Sequence, residues 1–207
     1  MKLKIEKIRV MLVLDSRLSR KDIFEDCRSA VKAGIPAVQY REKQKNPEEM
    51  VLDCLRLKEI CSGKALLFVN DFPDIAFACG ADGVHLGQED CSVQEARELL
   101  PEAIIGVTVH NVKEAIKAEK DGASFVSASP VFATTTKSDA GEPIGLKGIK
   151  AIKESIGIPV MGIGGINLEN AKSVLEAGAD AIAVVSCIVA SNNVFESSKK
   201  LLEVVKK

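Results

Sequence analysis

The chain is poor in aromatic residues. Its 207 residues include no tryptophan and one tyrosine, and aromatic residues total 4%. Hydrophobic residues nevertheless make up 46% of the sequence, so a large core must be built from aliphatic side chains. A core of this kind is typical of buried parallel strands flanked by helices. The composition therefore favours an α/β protein.

An excess of charge of either sign is also missing, since the formal net charge is -1. A nearly neutral chain gives no electrostatic reason to expect nucleic acid or an anionic membrane as a partner. No apolar run approaches the length of a membrane span, and the N-terminal stretch MKLKIEKIRV lacks the apolar segment of a signal peptide. We therefore expect a soluble cytoplasmic protein. A homodimer is one assembly that the sequence permits.

Cysteine and histidine spacings that would indicate a zinc or redox site are absent. The six cysteines form no Cys-x-x-Cys motif, and most lie within apolar patterns, so we expect reduced thiols that pack as small hydrophobic side chains. His85 is expected to be packed within a strand, and His110 to lie at the surface. Neither has a serine or cysteine partner that would suggest a nucleophilic triad.

A repeated unit is present instead, in which a helical pattern ends at glycine and a short apolar run follows. It occurs in KAGIPAVQY, ACGADGVHL, KDGASFVSA, SIGIPVMGI and EAGADAIAVV. Glycine adopts the left-handed conformation that ends a helix, and a tight turn then leads into a strand. With the remaining units, the pattern predicts eight strands, at about residues 9–15, 37–41, 65–70, 83–86, 103–108, 124–129, 159–163 and 181–185.

Strict alternation of strand and helix predicts a parallel sheet. Eight units in a chain of this length favour a closed (β/α)8 TIM barrel, with residues 1–207 forming a single domain, and a doubly wound open sheet is the alternative. In such barrels the functional groups lie in the loops that follow the strands. We therefore expect the site to be formed by the residues after each strand.

The end of the second strand, VQYREK, carries polar residues in an alternating row. Gln39, Arg41 and Lys43 share one face because residues two apart in a strand point the same way. Barrel interiors are normally filled by apolar side chains, and a solvent-exposed rim is the alternative interpretation. Arginine and lysine suit phosphate oxygens, so the row favours an anion-binding site.

Two aspartates follow neighbouring strands, Asp71 after strand 3 and Asp90 after strand 4. Adjacent strands lie about 4.8 Å apart, so both carboxylates could approach one small cation. Carboxylate oxygens completed by water and a substrate phosphate describe a Mg2+ site. The alternative for each aspartate is a helix N-cap. The pair beside a basic strand end favours the metal.

The later strand ends suggest a second anion site. GIGGIN follows strand 7, where glycines allow close backbone approach and the following helix offers N–H groups to an anion, and VVSCIV follows strand 8. Barrels frequently bind phosphate with these two loops, although a tight glycine turn is the alternative. Two anion sites and a metal, without a nucleophile, suggest a transferase that handles a phosphate and a pyrophosphate. Thr108, after strand 5, has two interpretations: its hydroxyl contacts a ligand, or threonine is present because it favours strands.

The stretch VFATTTKSDAGEPIGL after strand 6 is long for a connection in a compact domain. Long loops of this kind are usually functional. We expect residues 138–143 to form a flap that becomes ordered when substrate binds.

The motifs VQYREK, VNDFPDIAFACGADGVHLGQED, GVTVH, SPVFATTTK, GIGGI and AVVS together resemble the thiamine phosphate synthase family. Their order and spacing hold from about residue 9 to the end of the chain. The resemblance implies a (β/α)8 fold and a Mg2+-dependent transferase. It implies that 4-amino-2-methyl-5-(diphosphooxymethyl)pyrimidine is joined to a carboxylated thiazole phosphate, with loss of pyrophosphate and CO2. The pyrophosphate would leave first, and the thiazole nitrogen would capture the resulting pyrimidine cation.

The resemblance also implies roles for single residues. The Mg2+ ligands would be Asp71 and Asp90, and the catalytic candidates are Arg41, Lys43 and Lys137. The pyrimidine diphosphate would contact Gln39, Arg41, Lys43 and Asn70, and Lys137 would hold the pyrophosphate. Thr108 stands where the family commonly has serine, keeps the hydroxyl, and is counted as substrate-binding. The thiazole phosphate would contact Thr134, Thr136, Gly165, Val185 and Ser186. Three neighbours in the same motifs are also counted as substrate-binding: Tyr40, Glu42 and Thr135. The alternation of side chains turns Tyr40 and Thr135 away from the residues beside them.

Two other functions stay open. Thiazole tautomerases resemble this fold but typically lack the metal aspartates and carry histidine where this chain has Pro130; a non-catalytic regulatory barrel is the other alternative. The sequence also departs from the synthase pattern, since SASP replaces the usual Gly-x-Gly before this proline. Ser127 and Ser129 therefore add side chains near the expected site.

Overall fold

The computed structural model describes residues 8–136 and 141–206. Within these residues, eight parallel strands close into a barrel in which each strand pairs with the next and the last pairs with the first. The strands are β1 (Val10–Asp15), β2 (Ala37–Arg41), β3 (Leu66–Asn70), β4 (Gly83–Leu86), β5 (Ile104–Val109), β6 (Phe125–Ala128), β7 (Val160–Ile163) and β8 (Ala181–Val184). The prediction of a (β/α)8 barrel is confirmed, and closure excludes the open sheet.

Helices surround the barrel, and they are α1 (Ile23–Ala33), α2 (Pro47–Cys61), α3 (Pro73–Cys79), α4 (Val93–Leu99), α5 (Val112–Lys120), α6 (Gly145–Ser155), α7 (Ala171–Glu176), α8 (Ser186–Val189) and α9 (Val194–Val205). The glycines after α1, α3, α5 and α7 have the predicted positive φ, which turns the chain back towards the sheet. The prediction is wrong for Gly157, because α6 ends at the extended residue Ile156 and Gly157 has no positive φ.

The interior of the barrel is closed at its base by two of the few aromatic side chains. The rings of Phe68 and Phe125 meet edge to face with centroids 5.9 Å apart. Glycines on neighbouring strands make room for them: a Cβ at Gly106 would lie 2.3 Å from Phe125, and one at Gly83 would lie 2.5 Å from Phe68. Beyond this plug, the barrel opens into a cavity at the C-terminal ends of the strands.

The six cysteines are free thiols, four buried and two partly buried, as the sequence predicted. Burial raises the pKa of Cys187 to about 11, so this thiol is protonated near neutral pH. Across residues 8–136 and 141–206, no helix is both long and apolar enough to cross a membrane.

Candidate active site

A cavity of about 670 Å³ opens at the C-terminal end of the barrel, and the loops after all eight strands contribute to its wall. Most of the predicted site residues line it: Gln39, Arg41, Lys43, Asn70, Asp71, Asp90, Thr108, Thr134, Thr136, Gly165, Val185 and Ser186. Lys137 and half of the predicted flap, residues 138–140, lie outside the described residues.

The ends of β1 and β2 form a charged corner of this cavity. Asp15 is 1% exposed, and its carboxylate accepts hydrogen bonds from the Arg17 guanidinium at 2.7 and 2.9 Å and from Arg41 Nη1 at 2.5 Å. Burial alone would raise the pKa of Asp15, but the hydrogen bond from Arg17 and the positive charge of Arg41 hold it below its usual value. The carboxylate is therefore ionised and links the two arginines.

The two predicted metal ligands lie next to this corner. Lys43 Nζ is 2.5 Å from Asp71 Oδ2, and the Asp90 carboxylate accepts a hydrogen bond from Gly87 N at 2.6 Å. Burial raises the pKa of Asp90, and the adjacent Asp71 carboxylate raises it further, against the hydrogen bond from Gly87. These two neighbouring carboxylates repel each other, and Lys43 only partly offsets that repulsion.

Neither aspartate caps a helix. Helix α3 has Phe72 at its N-cap and no side-chain cap bond, whereas α4 is capped by Ser92, which forms a capping box with Glu95. Asp71 instead adopts φ 67° and its backbone N–H donates to the His85 carbonyl, which fixes it beside β4. The capping alternative is therefore wrong for both residues.

The two histidines both reach the cavity. His85 is 5% exposed, and its Nε2 lies 3.0 Å from Thr108 Oγ1, in agreement with the predicted packed position. The surface position predicted for His110 is wrong: its Nδ1 lies 2.7 Å from the carbonyl oxygen of Ser129. The Ser129 N–H also donates to Val109 O and extends the pairing of β5 with β6 towards this contact.

The loops after β6 and β7 run against each other on the other side of the cavity. Phe132 N–H donates to Gly164 O at 3.0 Å, and a Cβ on Gly165, which has φ 65°, would lie 2.6 Å from Ala133 O. The close contact between the two loops therefore requires these glycines, independently of any role in binding an anion. Helix α7 begins only at Ala171, after a turn at residues 168–170, so it does not present its N-terminus directly after Gly165 as predicted.

A second, shallower cavity of about 490 Å³ adjoins the first along these loops. Thr134, Thr136, Gly165 and Ser186 line both cavities, whereas Thr135 lines only the second among the described residues. The hydroxyls and glycine backbone of these loops thus lie together, as the prediction of a phosphate site requires.

Two predicted substrate-binding residues face away from the cavity. Tyr40 is 1% exposed and its hydroxyl donates to Asp53 Oδ2 on α2 at 2.8 Å. Glu42 is 3% exposed; one carboxylate oxygen accepts the backbone N–H groups of Lys43 and Gln44, and the other accepts the Ser16 hydroxyl. Glu42 therefore shapes the loop that carries Lys43, and the structure brings neither side chain to the ligand space.

We expect the substitution Tyr40→Phe to reduce stability without affecting substrate affinity. Loss of its buried hydrogen bond to Asp53 should lower the free energy of unfolding by about 1–2 kcal/mol. Urea unfolding measures the stability, and steady-state kinetics measures KM for each substrate. A raised KM with unchanged stability would place Tyr40 in the site after all.

Comparison with known proteins agrees with this geometry. A sequence model of the family described as thiamine monophosphate synthase matches residues 10–188. The chain belongs to this family. A thiamine-phosphate synthase of Methanosarcina barkeri is 47% identical over 204 residues, which cover 98% of this chain and 93% of that protein. A thiamine-phosphate synthase of Chloroflexus aurantiacus is 43% identical and covers 95% of this chain and 92% of its own length.

A solved structure shows the same fold. The thiamine phosphate pyrophosphorylase of Pyrococcus furiosus superposes with a TM-score of 0.90 at 40% identity, covering 97% of this chain and 96% of that one. The cavity of the present chain also contains residues that the sequence analysis did not place in the site, among them Asp15, Arg17 and His110. The strand-end rule applied to β1 would have indicated the first two, because Asp15 is the last residue of that strand.

Proposed function

We propose that this chain is a thiamine-phosphate synthase. It would transfer the pyrimidinylmethyl group of 4-amino-2-methyl-5-(diphosphooxymethyl)pyrimidine to the ring nitrogen of 4-methyl-5-(2-phosphooxyethyl)thiazole. The C–O bond breaks and its electron pair leaves with pyrophosphate, and the nitrogen lone pair forms the new C–N bond. If the thiazole is carboxylated, its C–C bond to the carboxylate breaks and CO2 leaves.

One observation carries the proposal: two sets of groups suited to bind anions lie on different sides of one cavity. Arg41, Lys43 and Asn70 come from the ends of β2 and β3. Thr134, Gly165 and the other shared cavity residues come from the loops after β6, β7 and β8, across the barrel. A condensation of a diphosphate with a phosphate needs two such groups facing a common space.

The residues present fit a Mg2+ ion. Among the described residues there is no cluster of three or more candidate ligands, so Asp71 and Asp90 would hold the ion with water and substrate oxygens. Both line the cavity, and neither is used as a helix cap. Burial, and then the neighbouring Asp71 carboxylate, raise the pKa of Asp90, and a divalent cation would relieve the repulsion between the two carboxylates. When bound, Mg2+ supplies charge neutralisation for the departing pyrophosphate.

The chain's own residues would contribute binding, orientation and exclusion of water. Arg41 and Lys43 lower the free energy of the negative charge that develops on the leaving pyrophosphate. Val13, Ile163 and Val185 give the cavity an apolar wall, which protects a pyrimidinylmethyl cation from water until the thiazole nitrogen reaches it. Since bond breaking comes first, this route does not depend on a general base acting on the thiazole.

The test is an assay of the purified protein with both substrates, with Mg2+ or with EDTA. We expect thiamine phosphate to form with Mg2+ and its formation to fall to background with EDTA. Isomerisation of the thiazole phosphate alone, unaffected by EDTA, would show a tautomerase instead. Ligand binding without any turnover would show a regulatory barrel. The cytoplasmic location, the homodimer and the domain bounds stay predictions.

A further inference from the structure

Two arginines share one buried carboxylate at the rim of the cavity. Asp15 ends β1 and pairs in register with Arg41, which ends β2. Arg41 Nη1 donates to Asp15 Oδ2, while Arg17 Nε and Nη2 donate to both carboxylate oxygens. The backbone N–H of Arg17 also donates to Oδ1, at 3.1 Å. The cluster carries a net charge of +1, the sum of two arginines and one aspartate.

This arrangement exceeds what burial of Asp15 requires. A buried carboxylate needs a hydrogen-bonded cation, and Arg41 alone, whose side chain is 15% exposed, would provide one. Arg17 is 40% exposed, lies on the cavity wall and keeps guanidinium N–H groups that Asp15 does not use. The cluster of Asp15, Arg17 and Arg41 therefore leaves one positive charge in excess at the cavity wall.

We infer that Arg17 is a further anion-binding residue for the diphosphate of the pyrimidine substrate, and that Asp15 is a positioning residue that fixes Arg17 and Arg41 at the cavity. The identity of the anion rests on the proposed function. Planar guanidinium groups bind phosphate oxygens through paired N–H donors, so their orientation decides the affinity. Asp15 sets that orientation through three side-chain hydrogen bonds and its register with Arg41.

The structural alternative is that Arg17 only neutralises Asp15. On that account, removal of Arg17 lowers stability and leaves anion affinity unchanged. Inorganic pyrophosphate separates the two accounts without requiring turnover, and calorimetry in Mg2+ buffer measures its dissociation constant.

Arg17→Ala and Arg20→Ala form a matched pair. Both remove one arginine from the loop after β1, but Arg20 bonds to Asn192 and is not among the residues that line the cavity. We expect Arg17→Ala to weaken pyrophosphate binding roughly tenfold or more, the effect of losing hydrogen bonds between charged groups. Arg20→Ala should change it by about twofold or less, because exposed charges outside the site are screened.

The effect of Asp15→Asn on the affinity for pyrophosphate tests the positioning role, because the two accounts predict changes in opposite directions. Removing a negative charge beside an anion site should tighten pyrophosphate binding if only net charge matters. If Asp15 positions the arginines, binding should weaken in spite of the added positive charge. Asp15→Glu, which keeps the charge, should recover part of the affinity. In the turnover assay, Arg17→Ala should raise KM for the pyrimidine diphosphate and leave KM for the thiazole phosphate unchanged.

Thermal unfolding of every variant identifies any that fail to fold. If the Asp15 variants fail to fold, Arg17→Ala alone tests the inference. Equal pyrophosphate affinity of wild type and Arg17→Ala would overturn the inference while leaving the proposed function intact. Tighter binding by folded Asp15→Asn would overturn the positioning role. A wild-type protein that binds no pyrophosphate would contradict the proposed function and this inference together.

Discussion

Asp71→Asn is expected to lower kcat by about 10²–10³-fold, because a bound metal contributes several kcal/mol of transition-state stabilisation in sites of this kind. Asp71 lies on the cavity wall beside Asp90, and Lys43 is its ion-pair partner. An asparagine keeps the shape of the side chain but removes the charge that would hold Mg2+. The loss should be accompanied by a higher Mg2+ concentration at half-maximal activity.

Asparagine is also the right substitution for the backbone. Asp71 has φ 67°, a left-handed conformation that asparagine tolerates better than alanine. Asp74→Asn, which makes the same charge change at an exposed position in the first turn of α3, is the control. Steady-state kinetics across a Mg2+ titration, with thermal unfolding of both variants, gives the answer. Wild-type kcat and Mg2+ dependence in folded Asp71→Asn would remove Asp71 from the metal site.

Gly165→Ala is expected to reduce kcat/KM for the thiazole phosphate roughly 10²-fold, since misplacement of a binding group by about 1 Å can have this effect. The added Cβ would lie 2.6 Å from the Ala133 carbonyl oxygen and would push the loop carrying Thr134 and Thr136 away. KM for the pyrimidine diphosphate should change little, because that substrate is expected at the β2 and β3 side.

Gly80→Ala separates the clash from backbone strain. Gly80 has φ 62°, close to the 65° of Gly165, but a Cβ there would meet no atom within 4 Å. Both substitutions should lower stability by about 1 kcal/mol through the left-handed conformation. Only Gly165→Ala should impair the thiazole side. Equal kinetics of the two variants would mean that the contact between the β6 and β7 loops does not shape the phosphate site.

The fold was predictable because local chemistry repeats along the chain. Gly34 and Gly80 each end a helix in the left-handed conformation and are followed by apolar runs that became β2 and β4. Eight strand–helix units leave few arrangements, since parallel strands need helical crossovers of one hand. Gly157 shows the limit of the rule, because a glycine near a helix end need not adopt a positive φ.

The site was predictable where strand alternation applies and less so where loops interact. Gln39, Arg41 and Lys43 share the cavity face as their spacing requires, and the same alternation turns Tyr40 outward. The inward position of His110 depends on a hydrogen bond to Ser129 from a different loop, which no local pattern encodes. The contact of Gly165 with Ala133 likewise arises from two loops that meet only in the folded chain.

The central claim is that this cavity joins a pyrimidine diphosphate to a thiazole phosphate. The most direct test quantifies pyrophosphate and thiamine phosphate from the same reaction with Mg2+. The account predicts that both products appear in equal amounts and that neither accumulates when the thiazole phosphate is left out, beyond slow hydrolysis. Sustained pyrophosphate release without thiamine phosphate, or no release at all from folded protein with both substrates present, would contradict it.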